Sequence, residues 1–414
     1  MNGKAERHGW GLVVGGGIAG PVVAMALQRA GIPSTIYEAN PATSNGVGSF
    51  LTVASNGLDA LQAIDAHRPV AAAGVRTHRM VISSGSGKVL GEVDAGIPLT
   101  DGSTTTTIER ARLHRALHDE ARGRGISIVH GKRLVGVEET EDGVVALFDD
   151  GTREEGGFLV GADGIWSSVR TLIDPQAPRP EYTGLIGVGA VARGVDLPPD
   201  PSSFQMTFGR RAFFGFIALE GGDALWFANL PVRPEPERAA LAQVPPAEWK
   251  RRLLELFAED AIPARQLIEA TDEAALRMGA MHTLEPPARW HRGSVVLVGD
   301  AAHATSPSSG QGASLAMEDA IELARCLRDR STLGSAFETY QRLRERRVRR
   351  VLRSSRRVNA DKAAGPVASA IRDAVMPWVL KRLATPERQL WLLGHHIDFT
   401  GAVGGPRTLL GTAG

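Results

Sequence analysis

Apolar residues fill positions 12–14, return at helical spacing from Ile18 to Ala30, and close in a second short run at 34–37. That order predicts a buried strand, a helix and a second strand, the opening of a parallel βαβ unit. A helix with Leu113 and Leu117 on one face follows Ile108, and a strand follows at 126–129. Short alternating strands then run from Arg133 to 158–160, turning at Asp142-Gly143 and Asp150-Gly151, two good hairpin turns. Residues 182–230 alternate, carry Phe, Met and Trp, and are broken by Pro198-Pro199-Asp200-Pro201 and Gly221-Gly222. This pattern predicts a separate antiparallel sheet. Helical spacing resumes at 249–257, a buried strand at 295–298, and helices are predicted over 312–328 and 335–358. The two ends of the chain thus read as one α/β unit with an antiparallel segment inserted.

With 414 residues, 43% of them hydrophobic, the chain has room for two or three domains and a sizeable core. Its 47 basic and 46 acidic side chains nearly cancel, which argues against bulk nucleic-acid binding. A single cysteine, Cys326, excludes an internal disulfide and every zinc site built on several cysteines. Lys4 and Arg7 precede an uncharged run at 9–27 that imitates a secretory leader. Gly15, Gly16, Gly17, Gly20 and Pro21 interrupt it where a leader is continuously apolar. The expectation is a cytoplasmic protein without membrane insertion.

Gly15, Gly17 and Gly20 stand in Gly-x-Gly-x-x-Gly spacing between a strand and a helix, and Glu38 ends the next strand. Such glycines let backbone approach a pyrophosphate at a helix N-terminus, where unpaired N–H groups and the helix dipole favour anions. A carboxylate at the second strand end binds ribose hydroxyls and repels a 2′-phosphate. FAD and NAD both fit this turn, and NADP is disfavoured there. Gly161-Ala162-Asp163-Gly164 and Gly299-Asp300-Ala301-Ala302-His303 each follow an apolar strand, placing carboxylates at the strand ends where α/β ligand sites lie. Pro307-Ser308-Ser309-Gly310-Gln311-Gly312 opens a helix whose free N–H groups suit an electron-rich ring edge.

With these three motifs in this order, the sequence resembles the FAD-dependent aromatic hydroxylases, over roughly residues 10 to 360. The resemblance implies a Rossmann-like FAD-binding domain with an inserted antiparallel-sheet substrate domain and C-terminal helices. It divides the chain into FAD-binding segments 1–78, 106–180 and 276–362, substrate segments 79–105 and 181–275, and a helical segment 363–414. It implies that Gly15, Gly17, Ala19, Gly20, Glu38 and Ala39 hold the ADP part of FAD, that Arg110 contacts the cofactor, and that Leu134 meets adenine through its backbone. Asp163 and Gly164 would serve FAD and the nicotinamide donor, and Asp300 the ribityl chain. Pro307, Gly310, Gln311, Gly312, Ala313 and Ser314 would lie along the flavin pyrimidine, with Gly48 and Ser49 at its other edge. Ser49, Pro21 and Ala39 depart from the family's usual aliphatic residue, Leu and Arg. The implied reaction uses NAD(P)H and O₂ to hydroxylate an electron-rich aromatic small molecule through a flavin hydroperoxide. A same-fold reductase, a halogenase and a flavin-binding regulator without turnover are the rival readings. The halogenase signature Trp-x-Trp-x-Ile-Pro is absent.

Alternation along 211–217 puts Arg211 and Phe213 on one strand face, and the resemblance places the inserted sheet over the flavin. Arg211 and Phe213 are therefore expected at the substrate, with Trp226 on the following strand as a stacking partner. His114 and His118 lie at i, i+4 without a third ligand and are expected to be solvated rather than to hold a metal. Ser84-Gly85-Ser86-Gly87-Lys88 reads as a turn, and the Arg-rich run from Arg342 to Arg357 as a structural helix. Val367, Ile371, Val375, Trp378 and Val379 form a helical stripe, expected to pack across the two domains, with a membrane-surface role as the alternative reading.

Overall fold

Unbroken Val, Ile and Leu runs suit strands covered on both faces, and a six-stranded sheet is built from them. In the computed structural model, which describes residues 8–41, 50–307, 310–362, 366–383 and 385–404, this sheet has the order His291–Arg292, Val295–Leu297, Phe158–Gly161, Gly11–Val14, Ser34–Glu38, Ser127–His130. All neighbours are parallel except the first pair. Leu12 pairs with Leu159 on one side and Thr35 on the other, so the glycine turn, Glu38 and Asp163 emerge together at the C-terminal edge. The helix Ala19–Arg29 buries its apolar face beneath the helix Gly312–Asp329. Three antiparallel strands, Leu134–Glu139, Val144–Phe148 and Arg153–Gly156, flank this layer and turn at the two Asp-Gly pairs.

The second layer is a seven-stranded sheet ordered Arg277–Thr283, Glu181–Ala192, Ala224–Pro231, Phe213–Ala218, Ser203–Phe208, Arg79–Ser84, Val89–Asp94. It is antiparallel throughout except where Ser203–Phe208 runs parallel to Arg79–Ser84. Arg277–Thr283 belongs to this sheet, pairing with Glu181–Ala192. This strand lies just past the substrate segment expected at 181–275, and its place comes from edge pairing rather than local pattern.

The two faces of this sheet are covered differently. One carries Phe214, Trp226 and Ala228, sealed by Trp249, Leu253, Phe257 and Leu267 from the helices Pro246–Leu256 and Ala264–Glu269 and the turn between them. The other carries Phe204, Ile217 and Leu225 with Met80 and Phe227, and it packs against Phe50 and Val75 of a small three-stranded sheet, Phe50–Val53, Thr106–Glu109 and Val75–Arg76. Helices Leu333–Lys362, Pro366–Leu383 and Pro386–Leu393 close the described chain.

Candidate active site

Gly15 turns the chain at φ +107°, and its N–H donates to the Tyr37 carbonyl at 2.8 Å. A Cβ at Gly15 would stand 2.4 Å from the Ala162 carbonyl oxygen, so the glycine turn and the Asp163 segment pack backbone to backbone. Glu38 accepts from the Gly16 N–H at 2.6 Å through one carboxylate oxygen and from Asn40 through the other. Its position at the strand end matches the expectation, and it also fixes the turn.

His114 and His118 are not solvated as expected. Their rings stack at 3.9 Å, buried beneath the turn, and their Nε2 groups donate to the Gly16 carbonyl at 3.1 and 2.5 Å. The physical reason is an acceptor that arrives from another element, the glycine turn, and draws one face of the helix Arg110–Gly123 inward. Burial, followed by the neighbouring His118, pulls His114 down to about 4, and burial also lowers His118. Both rings are neutral when folded, whereas in the unfolded chain they take up protons near 6.5. Stability is expected to fall as pH drops from 6.5 toward 4. Melting temperature against pH measures this, and His114→Gln should flatten the slope across that window.

Asp163 accepts from the N–H groups of Ser168 at 2.8 Å and Val169 at 3.2 Å through Oδ2. Its Oδ1 is buried without a partner among the described residues, and burial raises the carboxyl above its usual range. An orphaned acceptor beside a phosphate-type turn fits a polar ligand. Arg170, which the sequence reading missed, donates to the Ile165 carbonyl at 2.8 Å and the Ala301 carbonyl at 3.0 Å, tying the Asp163 and Asp300 segments together. Asp300 opens toward Gly312, where a Cβ would lie 3.9 Å from Oδ1. The protein packed around it raises its carboxyl, and the charges of His303 and Arg110 pull the other way.

The helix Gly312–Asp329 begins without a side-chain cap and without an acid in its first turn. Its N-terminus therefore retains the positive end of the dipole for an anionic ring edge. Gln311 is buried and accepts from Asn56 at 3.0 Å, and Ser314 Oγ accepts from the Ala54 N–H at 3.0 Å, which ties the helix start to the strand end at Val53. Beneath this start, Glu318 and Asp319 are buried against Arg344 and Arg347. Asp319 also accepts from the Gly299 N–H and from His303. Arg110 is exposed at its helix start, and Leu134 is buried where its strand begins. Gly48 and Ser49 lie outside the described residues. Gly15, Glu38, Asp163 and Asp300 stand at C-terminal strand ends along one edge of the six-stranded sheet, with Gly312 beside Asp300.

This edge faces an aromatic wall. Gly310 lies beside Thr52, and Phe50 on the same strand meets Phe204 and Phe227, each at 6.0 Å between ring centroids. Phe213 joins the wall at 5.9 Å from Phe227. Trp226 does not. It lies on the opposite face, fully buried, stacked on Phe214 at 5.5 Å and bonded to Thr271 Oγ1 at 2.8 Å. Alternation fixes that it opposes Phe227 but not which face the helices seal. Arg211 also leaves the site: its strand begins only at Phe213, so Arg211 sits in the exposed turn and donates to the Glu255 carbonyl. Phe50, Phe204 and Phe227 were missed because separate strands bring their rings together and nothing local to any of them marks the cluster.

An anion-binding glycine turn, a ribose-type carboxylate, two further strand-end carboxylates and an uncapped helix terminus define a dinucleotide-binding oxidoreductase site of the flavoprotein class. The FAD binding domain family matches residues 11–355. Aurachin C monooxygenase/isomerase of Stigmatella aurantiaca is 33% identical over 84% of this chain and 88% of its own length. An FAD-dependent urate hydroxylase of Klebsiella pneumoniae is 31% identical over 84% and 88%. The solved structure of Klebsiella pneumoniae HpxO with FAD and uric acid superposes with a TM-score of 0.83 at 25% identity, covering 95% of this chain and 99% of that one. The chain belongs to the FAD-dependent aromatic hydroxylase family, and its fold is that of the family.

Replacing Asp300 by Ala is expected to weaken FAD retention by about 1.5–3 kcal/mol, roughly ten- to a hundredfold, through loss of a charge-assisted hydrogen bond. Flavin absorbance per protein after gel filtration reads the effect.

Proposed function

We propose that the protein is an NAD(P)H-dependent monooxygenase that hydroxylates an electron-rich aromatic small molecule in the cytoplasm. The observation that carries this reading is the wall of Phe50, Phe204, Phe213 and Phe227 set opposite the uncapped start of the Gly312–Asp329 helix. Bound FAD supplies hydride acceptance and oxygen activation; the chain's own residues orient it and keep the reaction dry. The Gly15–Gly20 turn holds the pyrophosphate, Glu38 and Asp300 the two sugar-like ends, and the helix terminus steadies negative charge on the ring. The phenylalanine wall excludes water and admits a flat apolar substrate with few polar anchors.

One dinucleotide turn serves one resident cofactor, so the nicotinamide donor visits. Trp166, 66% exposed two residues after Gly164 and edge-on to His282 at 5.1 Å, offers that visitor an aromatic face. Among the described residues no cluster suits a metal, and no helix is long and apolar enough to cross a membrane.

A screen of phenols, indoles and polycyclic aromatics tests the reading. Substrate-stimulated NAD(P)H oxidation is expected, with one product oxygen taken from ¹⁸O₂ and a rate unaffected by chelator. Oxygen from labelled water, or NAD(P)H oxidation indifferent to every aromatic, would overturn it in favour of a same-fold reductase or a flavin-binding regulator.

A further inference from the structure

We propose that the outer face of the Pro366–Leu383 helix docks onto an anionic membrane surface. Ile371, Val375 and Trp378 recur at helical spacing and are 60%, 47% and 61% exposed, instead of packing across the two layers as the sequence stripe suggests. The opposite side of the helix is already engaged. Leu380 fits against Gly91, where a Cβ would come within 2.8 Å of Leu380 Cδ1, and the Arg372 guanidinium lies 4.2 Å from the Phe208 ring centroid. Rotating the stripe inward would break both contacts.

Charge selects the occupant. Arg372 is paired with Asp373 at 2.8 Å, leaving Lys381 and Arg382 exposed at the helix end, with Arg382 stacked over Trp378 at 5.1 Å. The preceding helix Leu333–Lys362 exposes Arg342, Arg346, Arg350 and Arg353. Arg346, Arg350 and Arg353 line a groove of about 520 Å³ with Ser354 and Trp391. Lys381 and Arg382 follow Trp378 within about one turn, so the stripe carries two exposed cations at its C-terminal end. Anionic headgroups meet them with opposite charge, while Trp378 takes the interfacial position that indole favours. Only three side chains enter, so nothing spans the bilayer.

The docked helix covers Phe208, which meets Phe213 of the aromatic wall at 5.1 Å. Phe208, and through it the aromatic wall, then lies by the bilayer, and the substrate class is a membrane-partitioned aromatic. This last step rests on the monooxygenase reading; the docking does not.

The test is co-sedimentation of the FAD-loaded full chain with phosphatidylcholine vesicles, with and without phosphatidylglycerol. Binding is expected only with phosphatidylglycerol, weakening with salt. Ile371→Ser with Trp378→Ser should lower it at least about tenfold at unchanged FAD content and melting temperature. Absence of sedimentation, or binding unaffected by the double variant, overturns the proposal. So does a dimer in sedimentation velocity that Trp378→Ser dissociates, since a second copy then covers the stripe. Failure to turn over any aromatic while vesicle binding persists overturns the functional reading alone.

Discussion

Arg344→Met is expected to destabilise the protein by about 3–5 kcal/mol, the usual cost of removing one partner from a buried ion pair. Arg344 is 1% exposed and donates to Asp319 Oδ1 at 2.7 Å, with Glu318 Oε2 at 2.6 Å. Burial alone would raise the carboxyl of Glu318, yet Arg347 and Arg344 hold it below the usual range. Arg347 and Asn56 still reach Glu318 in the variant, so Asp319 carries most of the loss, keeping neutral or weaker partners such as His303 and the Gly299 N–H. Because Gly299 precedes Asp300, FAD retention should fall together with stability. Urea unfolding gives the size of the effect. Adding Asp319→Asn removes the uncompensated charge and should recover part of it; a double variant as damaged as the sum of the single ones would mean that Arg344 acts through packing alone.

How much was legible follows from where each signal lies. The parallel strands were readable because Leu12, Val160 and Val296 are covered on both sides and so stand in unbroken apolar runs. The glycine turn and Glu38 were readable because one local segment carries strand, turn and helix. The buried charges were not. Arg344 and Arg347 stand among exposed arginines of the same helix, and only Glu318 and Asp319, on a different helix, separate them from their neighbours. The same holds for His114 and His118, whose acceptor Gly16 is brought in by the first βα unit. Trp226 and Phe227 show the limit of alternation: the period of two says that they oppose each other, and only the helices around Trp249 and Leu267 decide which one is sealed. Arg211 was assigned to a face because the alternation was carried two positions beyond the strand's start at Phe213. The parallel join of Ser203–Phe208 to Arg79–Ser84 unites segments far apart in sequence, and no local pattern encodes it.

Two glycines of the same turn are expected to fail differently, and the contrast separates folding from cofactor binding. Gly15→Ala meets two costs at once. A φ of +107° lies outside the region open to an L side chain, which adds roughly 1–3 kcal/mol. The new Cβ would also stand 2.4 Å from the Ala162 carbonyl oxygen and 2.9 Å from the Asp163 nitrogen, both backbone atoms that cannot swing aside. The strand ends must part, so a lowered melting temperature and a colourless protein are expected together. Gly17 has no positive φ, and a Cβ there meets nothing within 4 Å. Gly17→Ala should therefore fold with the apoprotein's melting temperature unchanged. Its methyl group would instead occupy space over the start of the Ala19–Arg29 helix, where a pyrophosphate must approach the backbone. Flavin titration of the apoprotein should show weakened binding without any loss of structure. Full FAD affinity in Gly17→Ala would mean that the pyrophosphate does not lie over this turn, and a Gly15→Ala protein that stays yellow and equally stable would remove the backbone contact with Ala162 from the account.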